Sequence, residues 1–361
     1  MVKLEGEGAR NSGDARIAGR ARRLASVTSH DVARAAGVSQ ATVSRVLRND
    51  TSVSQVMRER VMRALAETGY ELNASARAFR TSHTGSIGVV VARLSNQIYP
   101  AMLESLGARL ASLGQRMIVW DAEYGGDVQA SQALRQGVVD GVILAASTNE
   151  SEFIKDIRSP QAPVVLINRT VDGYPSDQVF SDNAGGGRRV ADYLARSGRK
   201  RIALIGGPQQ ASTIRDRERG FREALEAAGI ELLPHHYQRS PEFSHGSGKA
   251  MALRLLELAT PPDAIFCVND VLALGAVDGA RVVRARVPDD LWIVGYDDIE
   301  LASWDAYELT TVRQPMTEMV SYSIDLLLEK IRDPGRAIEL KCFANELVIR
   351  QSTGKHPFPQ Q

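Results

Sequence analysis

Apolar positions along the chain follow two rhythms, and the change falls near Ser86. Before it the spacing is helical. Val32, Ala33 and Ala36 share one face of a helix expected over roughly Ser29 to Ala36. Gly37 supplies a tight turn, and Val38 can plug the angle to the next helix. Ser39 is a good N-cap for that second helix, because its hydroxyl can accept from the free amides of the first turn. There Val43, Val46 and Leu47 point inward, while Gln40, Ala41, Ser44, Arg45 and Arg48 share the opposite face. Ser54 caps a third helix, whose Met57, Val61, Ala64 and Leu65 complete a small core.

From Ser86 onward the pattern becomes short apolar runs with helices between them. The runs are Ile87–Ala92, Arg116–Trp120, Gly141–Ala146, Pro163–Asn168, Arg201–Gly207, Ala264–Asn269 and Leu291–Asp298. Each is rich in β-branched residues and apolar on both faces, as buried parallel strands are. The stretches between them, such as AMLESLGARLASLG, have helical spacing and end at glycine. Repeated βα units predict doubly wound parallel sheets, and two groups of strands predict two such subdomains. Ligands of such folds sit beyond the carboxyl ends of the strands. Polar residues stand at those ends: Asn168 and Arg169, Asn269 and Asp270, Asp297 and Asp298.

Charge sharpens the division. The formal net charge is only +1, yet residues 1–85 hold 14 Lys+Arg against 8 Asp+Glu, and the remainder 30 against 35. A basic head on an acidic body suits one part that meets phosphate and one that does not. The polar face of the second helix fits that reading. Arg can fork onto guanine, Gln can pair with adenine, and a small Ala can sit against a thymine methyl.

Other chemistries find little support. Cys267 lies in the apolar run AIFCVND, so a buried reduced thiol is expected, and with Cys342 it forms no zinc pattern. Gly185-Gly186-Gly187 is neither a dinucleotide nor a P-loop fingerprint and reads as the start of a helix packed closely on the sheet. There is no GxSxG elbow and no HExxH. The six histidines show no base-and-orienter spacing, and His235-His236 fits a solvated loop. No catalysis and no cofactor are expected. No run approaches the ~20 apolar residues of a membrane span, and the N-terminus lacks an apolar signal region, so a cytoplasmic protein is expected.

The segments DVARAAGVSQATVSRVL, VSQVMRERVMRALAETGYELNASARAFR and TGSIGVVVA, with the order that continues to about Ser352, resemble the LacI/GalR family of bacterial transcriptional regulators. That resemblance implies an N-terminal all-α helix-turn-helix DNA-binding domain. It also implies an α/β periplasmic-binding-protein-like core of two doubly wound parallel-sheet subdomains. On this plan residues 1–26 are a basic, disordered tail that most relatives lack, 27–72 the DNA-binding domain and 73–85 the hinge helix and linker. The core spans 86–355, with an N-subdomain at 86–183 and 315–341 and a C-subdomain at 184–314 and 342–355, and 356–361 is a tail.

The resemblance also implies site residues. DNA contacts fall on Thr28, Ser39, Gln40, Ala41, Thr42, Ser44, Arg45, Arg48 and Ser54, and on Asn73, Ala76 and Phe79 of the hinge helix. Phe79 stands where many relatives carry leucine, and would wedge into a base step of the minor groove. Effector contacts fall on Tyr99, Arg169, Thr213, Arg217, Phe243, Asn269 and Asp297. Arg169, Arg215 and Arg217 together would favour a sugar acid, unless Asp297 and Asp298 neutralise them and a plain sugar binds. The expected function is a repressor of a catabolic operon that binds a palindromic operator as a homodimer under control of a sugar or sugar acid. A cytoplasmic solute-binding or sensor protein without operator-specific repression is the alternative. No heptads follow Ser352, so no added tetramerising helix is expected.

Overall fold

The computed structural model describes residues 27–47, 50–69, 83–94 and 96–354. Arg48, Asn73, Ala76, Phe79 and the leading basic segment lie outside the described residues. The chain divides into two compact units, residues 1–77 and 78–361.

In the first unit α1 spans Ser29–Ala36, α2 Gln40–Leu47 and α3 Gln55–Thr68. Val32, Ala33, Ala36, Val43, Val46, Val61 and Ala64 form its core, with Leu47 and Leu65 packed against them. Met57 was expected in that core but is 38% exposed, because it lies on the outer face of the first turn of α3. Gly37 ends α1 in the left-handed region at φ 63°. The Arg60 guanidinium donates to the Ala36 carbonyl at 2.9 Å and so ties α3 to this turn.

The second unit holds two parallel sheets. The first is ordered β11-β5-β4-β3-β1-β2, from β1 Ser86–Val91, β2 Arg116–Asp121, β3 Gly141–Leu144, β4 Val164–Ile167, β5 Asp177–Ser181 and β11 Leu340–Phe343. The second is ordered β7-β6-β8-β9, from β6 Ile202–Gly206, β7 Tyr237–Arg239, β8 Ala264–Cys267 and β9 Trp292–Val294. Helices α4 Ile98–Ser112, α5 Gly126–Arg135 and α6 Glu152–Asp156 lie in the first half of this unit. Helices α7 Asn183–Arg196, α8 Ser212–Ala227, α9 His245–Leu256 and α10 Asp270–Val282 follow, and α11 Met316–Arg332 returns to pack on the first sheet.

Every run expected as a strand contains one, but four further strands carried too little apolar signal to be read. β5 opens on Asp177, whose buried carboxylate is held by the Arg336 guanidinium at 2.8 Å and the Glu339 amide at 2.7 Å. β7 is Tyr-Gln-Arg, β11 is a half-exposed edge, and β10 covers only Thr311–Arg313. In the segment 342–355, assigned to the C-subdomain, the strand β12, Glu346–Val348, pairs antiparallel with β10 and not with the second sheet. His235-His236 is likewise not a solvated loop: His236 is buried, and its Nε2 lies 3.1 Å from the Thr260 carbonyl.

The triple glycine does start a helix, α7, but its close partner is a helix and a tyrosine. A Cβ on Gly187 would meet the Arg217 carbonyl at 2.2 Å, and one on Gly186 the Tyr296 hydroxyl at 2.3 Å. From the other side, a Cβ on Gly220 of α8 would lie 1.9 Å from the Ala184 carbonyl. These glycines bring α7 and α8 into backbone contact, and neither backbone can yield without moving its helix. Gly220→Ala is therefore expected to cost at least the ~1–3 kcal/mol of overpacking. Gly246→Ala, at an α9 position with open space around it, should be neutral or slightly stabilising. Urea midpoints of the two variants check this; equal stability would contradict the close crossing.

Candidate functional sites

In the first unit the caps come before the contacts. Thr28 forms a capping box with Asp31: its amide and hydroxyl donate to the Asp31 carboxylate at 2.9 and 2.7 Å, which holds that carboxyl below its usual range. Ser39 accepts from the Thr42 amide at 3.1 Å, and its hydroxyl lies 2.9 Å from that of Thr42. Ser54 caps α3 through the Met57 amide. Between these anchors α2 turns Gln40, Ala41 and Arg45 outward, all exposed, with Thr42 and Ser44 half-buried. The Gln40 amide reaches back to Ser29 at 3.0 Å, which fixes the start of α2 against α1. A short, rigid helix thus presents Gln, Ala and Arg along one face.

In the second unit the seven residues expected at the effector site line one cavity. Tyr99, Arg169, Thr213, Arg217, Phe243, Asn269 and Asp297 meet there with Asn96, Ile98, Asn168 and Ile214. The topology explains the convergence. Asn168 and Arg169 follow β4, Asn269 follows β8 and Asp297 follows β9, all at carboxyl ends, while Thr213 and Arg217 stand one turn apart on α8. Asn269 also caps α10, accepting from the Leu272 amide at 3.0 Å.

One ion pair dominates the site. Arg217 Nη2 lies 2.9 Å from Asp297 Oδ1, and the side chains are only 3% and 4% exposed. Arg217 also donates from Nε to Asn183 at 2.8 Å and from Nη1 to the Val268 carbonyl at 2.7 Å, with its guanidinium 3.6 Å above the Tyr296 ring. Asp297 accepts from the Gln314 amide at 2.9 Å, and its own amide donates to the Val312 carbonyl at 2.9 Å. Burial pushes the Asp297 carboxyl up, and Arg217 opposes that shift. Deeper still, burial and then the charge of Asp297 raise Asp270 to about 7, although Thr311 and the Ile299 amide donate to it at 2.6 and 2.9 Å. Asp297 and Asn168 both hold positive φ, 117° and 72°, strained values that cluster at functional sites.

The cavity is closed, with room of about 20 Å³. Contacts that join its two sides explain why. Arg93, itself held by Glu123 on its own side, pairs across with Glu242 at 2.7 Å, and the Thr170 amide donates to Ser212 at 2.9 Å. Arg215 does not join the cavity. It is exposed, near Asp172 at 3.8 Å and bonded to the carbonyls of Gln209 and Gln210. Arg169 spends Nη1 on the Ala146 carbonyl at 2.8 Å. The expected triple-arginine cleft therefore reduces to one neutralised arginine and one partly engaged one. Asn96, Ile98 and Ile214 were not read from the sequence, since nothing in their local pattern marks them. Asn168 had a strand-end signal, and its buried Oδ1 lacks a partner.

Chemistry of other kinds has little to stand on. Among the described residues no group of three or more His, Cys, Asp or Glu could hold a metal, and no helix is long and apolar enough to cross a membrane. His245 does meet Asp278 at 2.8 Å, a pair not visible in the spacing, but on an exposed surface shared with Arg281. Cys267 is buried, and burial raises its thiol pKa, which suits packing and not nucleophilic attack.

Comparisons with known proteins agree with this division. Residues 28–73 match the model for bacterial regulatory proteins of the lacI family, and residues 191–353 the model for a periplasmic binding protein-like domain. The chain is 35% identical over 331 residues to the HTH-type transcriptional regulator DegA of Bacillus subtilis (strain 168), covering 90% of this chain and 98% of that protein. It is 32% identical over 313 residues to the ribose operon repressor of Escherichia coli (strain K12), covering 85% and 94%. Among solved structures, the lac repressor dimer bound to operator and the anti-inducer ONPF matches with a TM-score of 0.80 at 28% identity, over 91% of this chain and 99% of that one. The complex of the regulator CelR with cellobiose matches with a TM-score of 0.69 at 30% identity, over 90% and 99%. These relatives are regulators, and with a DNA-binding head and a periplasmic-binding-protein-like core the chain belongs to the LacI family of bacterial transcriptional regulators.

Proposed function

We propose that the protein is an effector-controlled repressor of a catabolic operon, acting as a homodimer on a palindromic operator. Gln40, Ala41 and Arg45 enter the major groove of each half-site, with Ser44 and Arg48 beside them. Thr28, Ser39, Thr42 and Ser54 hold phosphates through groups that also cap the helices. Asn73, Ala76 and Phe79 act at the operator centre, in keeping with the family's hinge helix. The attached reading head argues against a plain solute-binding protein.

The observation that carries the effector reading is the Arg217–Asp297 pair inside a cavity lined by Phe243, Asn168 and Asn269. The pair offers a donor and an acceptor side by side to neighbouring hydroxyls, and Asn168 adds an open acceptor. Phe243 supplies an apolar face. Because Asp297 already neutralises Arg217 and Arg215 stands apart, a neutral sugar suits the site better than a sugar acid. The closed cleft must open to admit it, and that motion reaches the crossover segment through Gln314.

Two measurements test this reading. Arg45→Ala should weaken operator binding by about 1–3 kcal/mol and relax the base preference at one position of each half-site. Operator selection with that variant checks it; an unchanged preference would contradict the assigned face. In a thermal-shift screen, a neutral sugar at 100 times its dissociation constant should stabilise the core by about 2.7 kcal/mol. Asp297→Asn should abolish that shift. Stabilisation by sugar acids alone, or a full shift in Asp297→Asn, would overturn the neutral-sugar assignment.

A further inference from the structure

The front cleft, whose floor is Arg217 and Asp297, is bridged at its mouth by one guanidinium with two partners. Arg93 follows β1 on one side of the cleft. Its Nε donates to Glu123 on that side and its Nη1 to Glu242 on the other, both at 2.7 Å. Because the two bonds leave from different nitrogens of a rigid plane, the carboxylates do not compete. Glu123 instead fixes the plane so that Nη1 points across the mouth. The Arg93 backbone has φ 44°, a left-handed value that residues other than glycine rarely hold and that persists where surrounding contacts impose it.

The receiving end is also held. Glu242 stands two residues before Ser244, the N-cap of α9, and its carbonyl accepts from the Ser240 hydroxyl at 2.6 Å. Ser244 and then Arg93 keep the Glu242 carboxyl below its usual range. The next residue is Phe243, the aromatic wall of the cleft, packed so closely that a Cβ on Gly207 would meet its ring at 2.6 Å. Among the described residues one other ion pair joins these two sides, Arg215 with Asp172; it is longer, at 3.8 Å, and Asp172 is 83% exposed.

We propose that Arg93 is the latch of this cleft: oriented by Glu123, it holds Glu242, and with it Phe243, in the closed position. Arg93 is thus a positioning residue that acts on the cleft through the segment before α9. Its grip is electrostatic and more than a third exposed, so it is weak, and salt loosens it. Opening is therefore set by ionic strength as well as by a ligand. The consequence for a ligand rests on the effector reading; the latch does not.

Residue-resolved amide hydrogen exchange in the full-length protein, with no effector added, tests the latch. The Thr170 amide donates across the cleft to Ser212, whereas the adjacent Val171 amide donates to Gln178 on its own side. Opening of the cleft exposes Thr170 alone, while fraying of the loop exposes both. At low salt, Arg93→Gln and Glu242→Gln should each speed Thr170 exchange about two- to fivefold, as loss of an exposed ion pair allows, and leave Val171 unchanged. The double variant should be no faster than either single one. About 0.5 M salt should speed Thr170 exchange in the unsubstituted protein more than in Arg93→Gln. Unchanged Thr170 exchange in Arg93→Gln would overturn the latch. So would equal quickening of Val171, additive effects of the two substitutions, or an equal salt response in Arg93→Gln. No ligand takes part, so none of these outcomes depends on the effector reading.

Discussion

The buried ion pair between Arg217 and Asp297 is the constraint on which the core depends. Taking two charges out of water costs several kcal/mol per ion, and the pair offsets this because all three guanidinium nitrogens and Asp297 Oδ1 are engaged. The partners it uses are spread across the fold. Asn183 begins the first crossover between the sheets, Val312 and Gln314 lie on the second, and Val268 follows β8. Tyr296 stacks beneath the guanidinium and accepts from Asn345 on the third crossover. One pair therefore ties the floor of the front cleft to all three segments by which the two halves of the core join.

Magnitudes separate what holds this region from what closes it. Breaking a buried pair by removing one partner costs about 3–5 kcal/mol. By contrast the Arg93–Glu242 bridge across the cleft is more than a third exposed on both sides, and such pairs contribute about 0–1 kcal/mol. The mouth is thus a soft contact over a hard floor. Opening requires little energy, while any ligand that engages the floor must act on groups already bonded to the crossovers. That is the physical basis for control by an effector, since a ligand shifts an equilibrium only by its differential affinity for the two states.

Much of this was legible in the sequence. Apolar runs located the buried strands, because parallel strands covered on both faces leave an unbroken hydrophobic signature. Polar residues at their ends, read with the family's pattern, pointed to seven of the eleven residues that line the front cleft. What stayed hidden had a common cause: neighbours distant in the chain supply the partner. β5 begins on a buried aspartate made tolerable by Arg336 and the Glu339 amide, 159 and 162 residues away. Arg215 and Arg217 looked alike in sequence, yet two positions along α8 turn one toward solvent and the other into the core. Met57 fitted the helical period but faced outward, since a three-helix unit buries only one stripe.

The central claim is that Arg217 and Asp297 act as one unit. A double-mutant cycle on core stability tests it most directly, with Arg217→Met, Asp297→Leu and the combined variant unfolded in urea at neutral pH. The account predicts that each single change costs about 3–5 kcal/mol by stranding a buried charge. The combined variant should then lose less than the two separate losses together, by about 1–3 kcal/mol. Additive losses would show that the two residues contribute independently, and would contradict the pair as the keystone of the core.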